Sequence, residues 1–357
     1  FLCGARDYHA MDWYGRAVES MGHSRVSIMT DLIESEGFLK LVNSNDRVYK
    51  MIIIDAFLFK TQSSIGNIWR NIVKMLVLPF QVLIVIRFAK KNKNTIFYAH
   101  SMYYVLLAHL SKVEFIGRPQ GSDILIKPFK SRIYKNLSIA SMKSAKYIIL
   151  DSERMKKTIT TKMSSHINTI VIPNGIDLKS INSIKNLRSP NKRSESVLSL
   201  RGMTPLYRIK EILKSRSYGN LSDCNLSFIY PFHDSEYKSD IDLKLRKYDL
   251  DLGRLEKDSY YNLLLSTLIV ISIPVSDSSP RSVFEAIFCG CIVIITHSQY
   301  YDVLPECMKS RVVVVNLENA NWFKNAINSA KLISKKKFIP TNEALHMFDQ
   351  NNTFGEM

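Results

Sequence analysis

Residues 269–296 read IVISIPVSDSSPRSVFEAIFCGCIVIIT. The apolar run Ile269–Ile273 predicts a buried strand. Ser276–Ser279 is a polar loop, and Pro280 stands where a helix begins, since its missing N–H costs nothing there. Ser282–Phe288 carries the helix, Gly290 stops it, and Ile292–Ile295 is the next buried strand. Strand, loop, helix and strand in this order make one unit of an open parallel sheet. Ligands of such sheets bind at the carboxyl ends of the strands, beside helix N-termini. Free N–H groups and the helix dipole favour phosphate there.

Two carboxylates bracket the loop, Asp277 within it and Glu285 eight positions on, about two turns into the helix. Two readings are open. Either Glu285 is a solvated helix residue and Asp277 a loop cap, or Asp277 reaches the far end of a ligand while Glu285 accepts hydrogen bonds from a ribose.

The run SDSSPRSVFEAIFCGCIVIIT resembles the donor-sugar motif of retaining nucleotide-sugar glycosyltransferases of family 4, which have the GT-B fold. In that family two acidic residues are separated by seven others, as Asp277 and Glu285 are. The first is usually Glu, where this chain has Asp277. The resemblance implies an α/β chain of two Rossmann-like domains facing across a cleft. Further landmarks follow in the family's order. RPQGSDI (118–124) is similar to its H-G-S-D segment, with Gly121, Ser122 and Asp123 matching and Gln120 replacing the common His. No catalytic histidine role carries over to Gln120, although its amide can still donate to a phosphate or a sugar hydroxyl. AKYIILDSERMKK (145–157) resembles the last strand of the first domain. IVIPNGID (170–177) resembles the phrase with which the family crosses between domains, and Pro173, Asn174 and Gly175 have the chemistry of a turn.

The 357 residues suffice for two domains, and 46% are apolar. The domains are expected at 1–172, acceptor-binding, and 173–340, nucleotide-sugar-binding, with 341–357 as a tail crossing back to the first. The five cysteines form no C-x-x-C pair, which argues against a zinc site or a disulfide framework and for a reducing cytosol. The net charge is +17 and lopsided: residues 1–172 hold 25 Lys/Arg against 12 Asp/Glu, and no acid lies between Asp55 and Glu114. That asymmetry points to a polyanion or an anionic membrane as partner, or to ordinary solvated lysines. No signal peptide is visible, and Phe1 is not an initiator Met. Lys74, Pro79, Gln81 and Arg87 interrupt the longest apolar stretch, Ile72–Phe88, which predicts a core or interfacial helix pair rather than a membrane span.

In the first half, Phe1–Gly4 reads as the end of a strand, and Val26–Met29 and Met51–Ile54 as further strands. No G-x-G-x-x-G follows the first, against a dinucleotide-binding oxidoreductase. Asp7, His9 and Asp12 form a polar cluster in which Asp7 is expected to cap a helix. Thr95–Ala99 is a strand that delivers His100 to its carboxyl end, either as a site residue or as a structural histidine. With the resemblance in place, His100, Gln120 and Asp123 are the acceptor-side candidates.

In the second half, Ser183–Ser196 reads as an exposed loop and Val197–Leu200 as a strand. RGMTPLYRIKEILK (201–214) resembles the segment in which an Arg and a Lys clamp the donor pyrophosphate. Arg201 matches the first; Arg208 is preferred over Lys210 for the second. A nucleoside diphosphate leaving group needs cations to stabilise its developing charge, and the fixed donor fork of Arg suits that task. Around 251–273 the sequence is similar to the family's base-binding turn. Leu252–Leu255 would border the base, with Gly253 allowing close backbone approach beside Leu255. Ser279, Pro280, Arg281 and Ser282 complete the expected donor-binding set, with Glu285, while Arg201, Arg208 and Asp277 form the catalytic one. No cofactor beyond the nucleotide-sugar co-substrate and no metal is expected, since the D-x-D of Asp240 and Asp242 lies outside the expected donor loops.

The resemblance thus implies transfer of a sugar from a nucleotide-sugar to an acceptor hydroxyl with retention, through an oxocarbenium-like transition state. The acceptor would be a saccharide or lipid-linked saccharide of bacterial lipopolysaccharide, capsule or exopolysaccharide, met on the cytoplasmic face of the membrane. Two rivals stand beside this reading: another GT-B nucleotide-sugar enzyme, either an epimerase or an inverting transferase, and a basic nucleic-acid-binding protein. For the latter, no zinc finger, RNP-like strand or helix-turn-helix phrase speaks, and nucleic acid is not an expected partner.

Overall fold

The computed structural model describes residues 1–34, 38–39, 47–59, 64–187, 193–218, 221 and 224–355. The chain divides into two compact units, Phe1–Ile172 and Pro173–Met357. Each is built on a parallel sheet.

In the first unit β1 (Ser27–Thr30) pairs with β2 (Arg47–Lys50), while β3 (Phe97–His100), β4 (Phe115–Arg118), β5 (Tyr147–Leu150) and β6 (Thr169–Val171) form a four-stranded row. Leu2 joins the two groups, bridging to Met29 on one side and Ala99 on the other. The first residues therefore act as the central strand, and the direction of strand succession reverses on either side of them. The second sheet runs β12-β11-β10-β7-β8-β9, all parallel. Its strands are β7 (Ser194–Ser199), β8 (Leu226–Ile229), β9 (Leu250–Gly253), β10 (Thr267–Ser272), β11 (Ile292–Thr296) and β12 (Val312–Val315). That is the doubly wound order, with its switch point between β7 and β10.

Side chains of the central strands alternate between two buried layers, as a sheet covered on both faces requires. Ile269, Ile271, Ile292 and Ile294 pack in one core with the helix Trp322–Ile333. Val270, Val293 and Ile295 face the other, with the helices Lys257–Ser266 and Arg281–Phe288. The described part of the tail packs on this second unit, with Ala344 and Phe348 in its core. The Ile176 N–H donates to Phe348 O and the Gln350 N–H to Ile176 O, at 2.8 and 3.0 Å.

Three local expectations are corrected. The strand beside β1 is the polar stretch Arg47–Lys50, not Met51–Ile54. Met51 and Ile54 are buried, but their N–H groups turn inward to Thr30 O and Asp31 O at the sheet's end. An edge strand is legible from pairing rather than from apolarity. Ser183–Ser196 is no continuous loop: a helix runs through Leu178–Asn186 and β7 begins at Ser194, while 188–192 lie outside the described residues. The expected helix pair around Pro79 is one helix, Ser64–Lys91, of 28 residues. Pro79 lies on its exposed side and deprives the Met75 carbonyl of its helical donor without ending the helix.

Candidate functional site

Loops leaving β7 and β10 must part at the switch point, and the gap between them is where such sheets hold ligands. Here a backbone bond stitches them, the Val275 N–H donating to Leu206 O at 2.9 Å. The first loop delivers Arg201 and the second Asp277. The Arg201 Nη2 donates to Asp277 Oδ2 at 2.7 Å and its Nη1 to Ser282 Oγ at 3.0 Å. The guanidinium lies 4.9 Å from the Tyr207 ring centre. Burial by itself would weaken the Arg201 charge, but Asp277 and Tyr207 outweigh it and raise the pKa. A permanent cation is therefore held beside the first turn of the helix Arg281–Phe288, whose leading N–H groups have no acceptor within the helix. Pro280 occupies the N-cap, Arg281 and Ser282 form the first turn, and Ser279 precedes them on the half-buried loop.

Glu285 is 9% exposed, not a solvated helix residue. Its carboxylate accepts from Tyr260 Oη at 3.0 Å and from Tyr261 Oη at 3.1 Å. Burial raises its pKa against the pull of Arg281 and both hydroxyls. The two tyrosines went unnoticed in the sequence. They lie on the helix before β10, and nothing local to S-Y-Y-N marks a partner on the helix after it.

The two cations weighed for the second clamp differ in their surroundings. Lys210 Nζ reaches Asp240 at 2.5 Å, and Asp242 is held by Lys238, so the D-x-D is absorbed in ion pairs. Arg208 closes the turn Pro205–Tyr207 with a left-handed backbone, φ 53°, and has no ion-pair partner among the described residues. Gly253 ends β9 with φ 60° and open space beside its Cα, while Leu255 packs at the margin of the adjoining core.

The acceptor-side candidates gather at the other switch point, where β3 departs from the Leu2 segment. Asp7 caps the helix Tyr8–Met21 by accepting from the His9 N–H, and the same carboxylate receives the Gln120 side-chain amide. His100 Nε2 lies 3.7 Å from Asp7 Oδ2. Burial lowers the His100 pKa to about 4, against the attraction of Asp7, so the ring is neutral at pH 7. Its Nδ1 is buried without a hydrogen-bond partner. Asp123 is committed to the scaffold. It accepts the N–H groups of Met102 and Gln120, each at 3.0 Å, and pairs with Lys127 at 2.7 Å. Asp7 was read as a cap alone; that it also joins Gln120 across 113 residues is visible only in three dimensions. Among the described residues no cluster of His, Cys, Asp and Glu is arranged to hold a metal.

No family model matches the chain, and no curated protein matches it in sequence. Solved structures do. HepE of Anabaena in complex with UDP superposes with a TM-score of 0.70 at 15% identity, over 100% of this chain and 97% of that one. Sucrose-phosphate synthase from Thermosynechococcus elongatus gives 0.71 at 14% identity, over 100% and 96%. The chain has the GT-B fold. A glycosyltransferase from Rickettsia africae fits this GT-B chain at 0.68 and 13% identity, over 99% and 95%. HepE has also been determined with UDP-glucose and with UDP and glucose.

Proposed function

We propose that this GT-B protein is a glycosyltransferase that moves a sugar from a nucleotide-sugar donor to an acceptor hydroxyl with retention. The observation that carries the reading is the meeting of Arg201, Asp277 and Ser282 at the switch point of the second sheet, beside a helix N-terminus. HepE, of the same fold, binds UDP and UDP-glucose.

In this reading the donor diphosphate takes over the Arg201 fork, and Asp277, released from it, turns to the sugar hydroxyls. Arg201 then faces the oxygens on which charge develops as the glycosidic bond breaks, where a fixed donor acts most strongly. Arg208 supplies the second cation, and the N–H groups from Ser279 to Ser282 complete the phosphate cradle. Glu285, oriented by Tyr260 and Tyr261, accepts from the ribose. Gly253 and Leu255 border the base. His100 and Gln120 serve the acceptor in the first unit. The set works through cations and N–H groups, with no metal needed. Retention follows from the family resemblance, as a same-face attack guided by the leaving phosphate.

The acceptor is proposed to be a saccharide or lipid-linked saccharide of bacterial lipopolysaccharide, capsule or exopolysaccharide. It would be met at the anionic cytoplasmic face of the membrane, to which residues 60–162, with 19 Lys/Arg against 4 Asp/Glu, are attracted. The test is hydrolysis of a panel of UDP- and GDP-sugars, followed by the anomeric configuration of the product with the best donor. Absence of turnover on every donor overturns the reading; an inverted product overturns retention alone.

A further inference from the structure

The helix Ser64–Lys91 packs Val73, Leu78 and Val85 inward, yet buries polar side chains beside them and leaves an apolar stripe exposed. On a protein facing water, a surface helix turns its apolar stripe inward and its polar side outward. Here Lys74 and Gln81, seven residues apart on one face, point inward at Asp31, which is fully buried. Gln81 Nε2 donates to Asp31 Oδ2 at 3.2 Å, and Lys74 Nζ lies 3.5 Å from the same oxygen. Lys74 also donates to Tyr104 Oη at 2.9 Å, and Tyr104 in turn bonds Asp31. Meanwhile Ile68, Ile72, Met75, Leu76, Phe80 and Leu83 are 46% to 68% exposed. They recur at helical spacing along the opposite face.

The polar cluster fixes the rotation of the helix. Turning it to hide the apolar side chains would leave Asp31 buried without its cation, which is strongly unfavourable. The outward stripe is thus held in place by the fold and is no packing accident. We propose that this stripe is a docking surface for an anionic lipid bilayer, with the helix lying in the boundary between headgroups and acyl chains. It names the docking element of the membrane reading above and rests on that reading only for the chemistry of the acceptor.

Three observations select a bilayer as the occupant. By length and composition Ile68–Lys91 could cross a membrane, but its inward face is taken by Asp31 and the helix Met102–Leu110, so one face alone is open to lipid. The apolar stripe gives way to Arg87, Lys90, Lys91 and Lys93 at its end, and no carboxylate occurs from residue 56 to 113 to oppose an anionic surface. Near the other end, Trp69 is 42% exposed and its indole N–H donates to Phe57 O at 2.7 Å, with the Phe57 ring exposed beside it. Tryptophan and basic side chains flanking an apolar stripe suit the two zones of a lipid interface.

The experiment uses the full chain and vesicles of phosphatidylcholine with or without one-third phosphatidylglycerol. Trp13 and Trp322 are buried, so Trp69 is the reporter that brominated acyl chains should quench. Expected are co-sedimentation with the anionic vesicles, quenching that the Trp69→Phe variant loses, and a binding remnant that persists as salt screens the charges. The double substitution Leu76→Glu, Phe80→Glu should cut vesicle binding at least about tenfold, with the urea midpoint and donor hydrolysis in buffer unchanged. The proposal is overturned by no binding, by binding without quenching, or by undiminished binding of the double variant. It is equally overturned if the stripe proves to join two copies, read as a lipid-free dimer that the double variant converts to monomer. Docking without any donor hydrolysis would instead sink the catalytic reading and leave this one standing.

Discussion

At the residue scale, Arg201 is the side chain on which the candidate site turns. It is held by Asp277 and Ser282 rather than by solvent, so its position is set before any donor arrives. Arg201→Ala is expected to lower kcat about a hundredfold, the ~3 kcal/mol of one lost transition-state donor. Steady-state rates on the best donor check this, and near-parental kcat would remove Arg201 from the mechanism. Glu285 answers to a different balance. Burial favours its protonated form, so the fold loses stability as pH rises through the raised folded value. Glu285→Gln removes that penalty, while one tyrosine turns from donor to acceptor. The variant should be at least as stable as the parent at pH 7, an advantage that shrinks toward pH 4, yet bind nucleoside diphosphate more weakly. Urea titrations at both pH values and calorimetric titration with UDP or GDP measure the two effects, and unchanged nucleotide affinity would refute the ribose role.

At the element scale, the connection after β6 shows how a turn motif acquires a second duty. Pro173, Asn174 and Gly175 carry turn chemistry that is legible in the sequence. The structure adds that the chain passes hard against the tail: a Cβ on Gly175 would run into the Cα and N of Gln350 and the Thr353 hydroxyl. Backbone cannot swing aside as a long side chain can. Gly175→Ala should therefore cost about 1–3 kcal/mol as overpacking, seen as a lower urea midpoint and faster proteolysis of residues 341–355. A midpoint equal to the parent's would show that the tail yields freely. The same scale explains the edge strand Arg47–Lys50. Its side chains are largely exposed, so only the ladder to β1, with Ser27 opposite Arg47, identifies it.

At the scale of the whole molecule, acid should weaken the first unit through His100. Its folded pKa of about 4 lies below the ordinary 6.5, because burial disfavours the imidazolium more than Asp7 restores it. The stability this group contributes is complete above pH 6.5 and is lost as pH falls toward 4. The gap corresponds to about 3 kcal/mol. His100→Gln should flatten the stability profile between those limits, measured by urea unfolding at pH 7 and pH 4.5. Parallel profiles for parent and variant would place the acid sensitivity elsewhere.

By itself the sequence determined the elements and the chemistry of single loops. The apolar runs Ile269–Ile273 and Ile292–Ile295 located β10 and β11 to within about two residues, and the Asp277–Glu285 spacing placed a polar loop between a strand and a helix start. These are local properties: burial period, Pro at a helix start and Gly at its end are written in neighbouring residues. Which loops meet is not. Arg201 and Asp277 lie 76 residues apart and touch because β7 and β10 are neighbours in the sheet. Glu285 found Tyr260 and Tyr261 because two helices cover the same face of that sheet. The long helix is the clearest case. Its residues permit more than one rotation, and Asp31, 43 positions before Lys74, decided that Lys74 and Gln81 go in beside Val73, Leu78 and Val85 while the stripe from Ile68 to Leu83 comes out. Such a choice depends on a partner brought close only by folding, since a buried carboxylate selects the one rotation that supplies its cation.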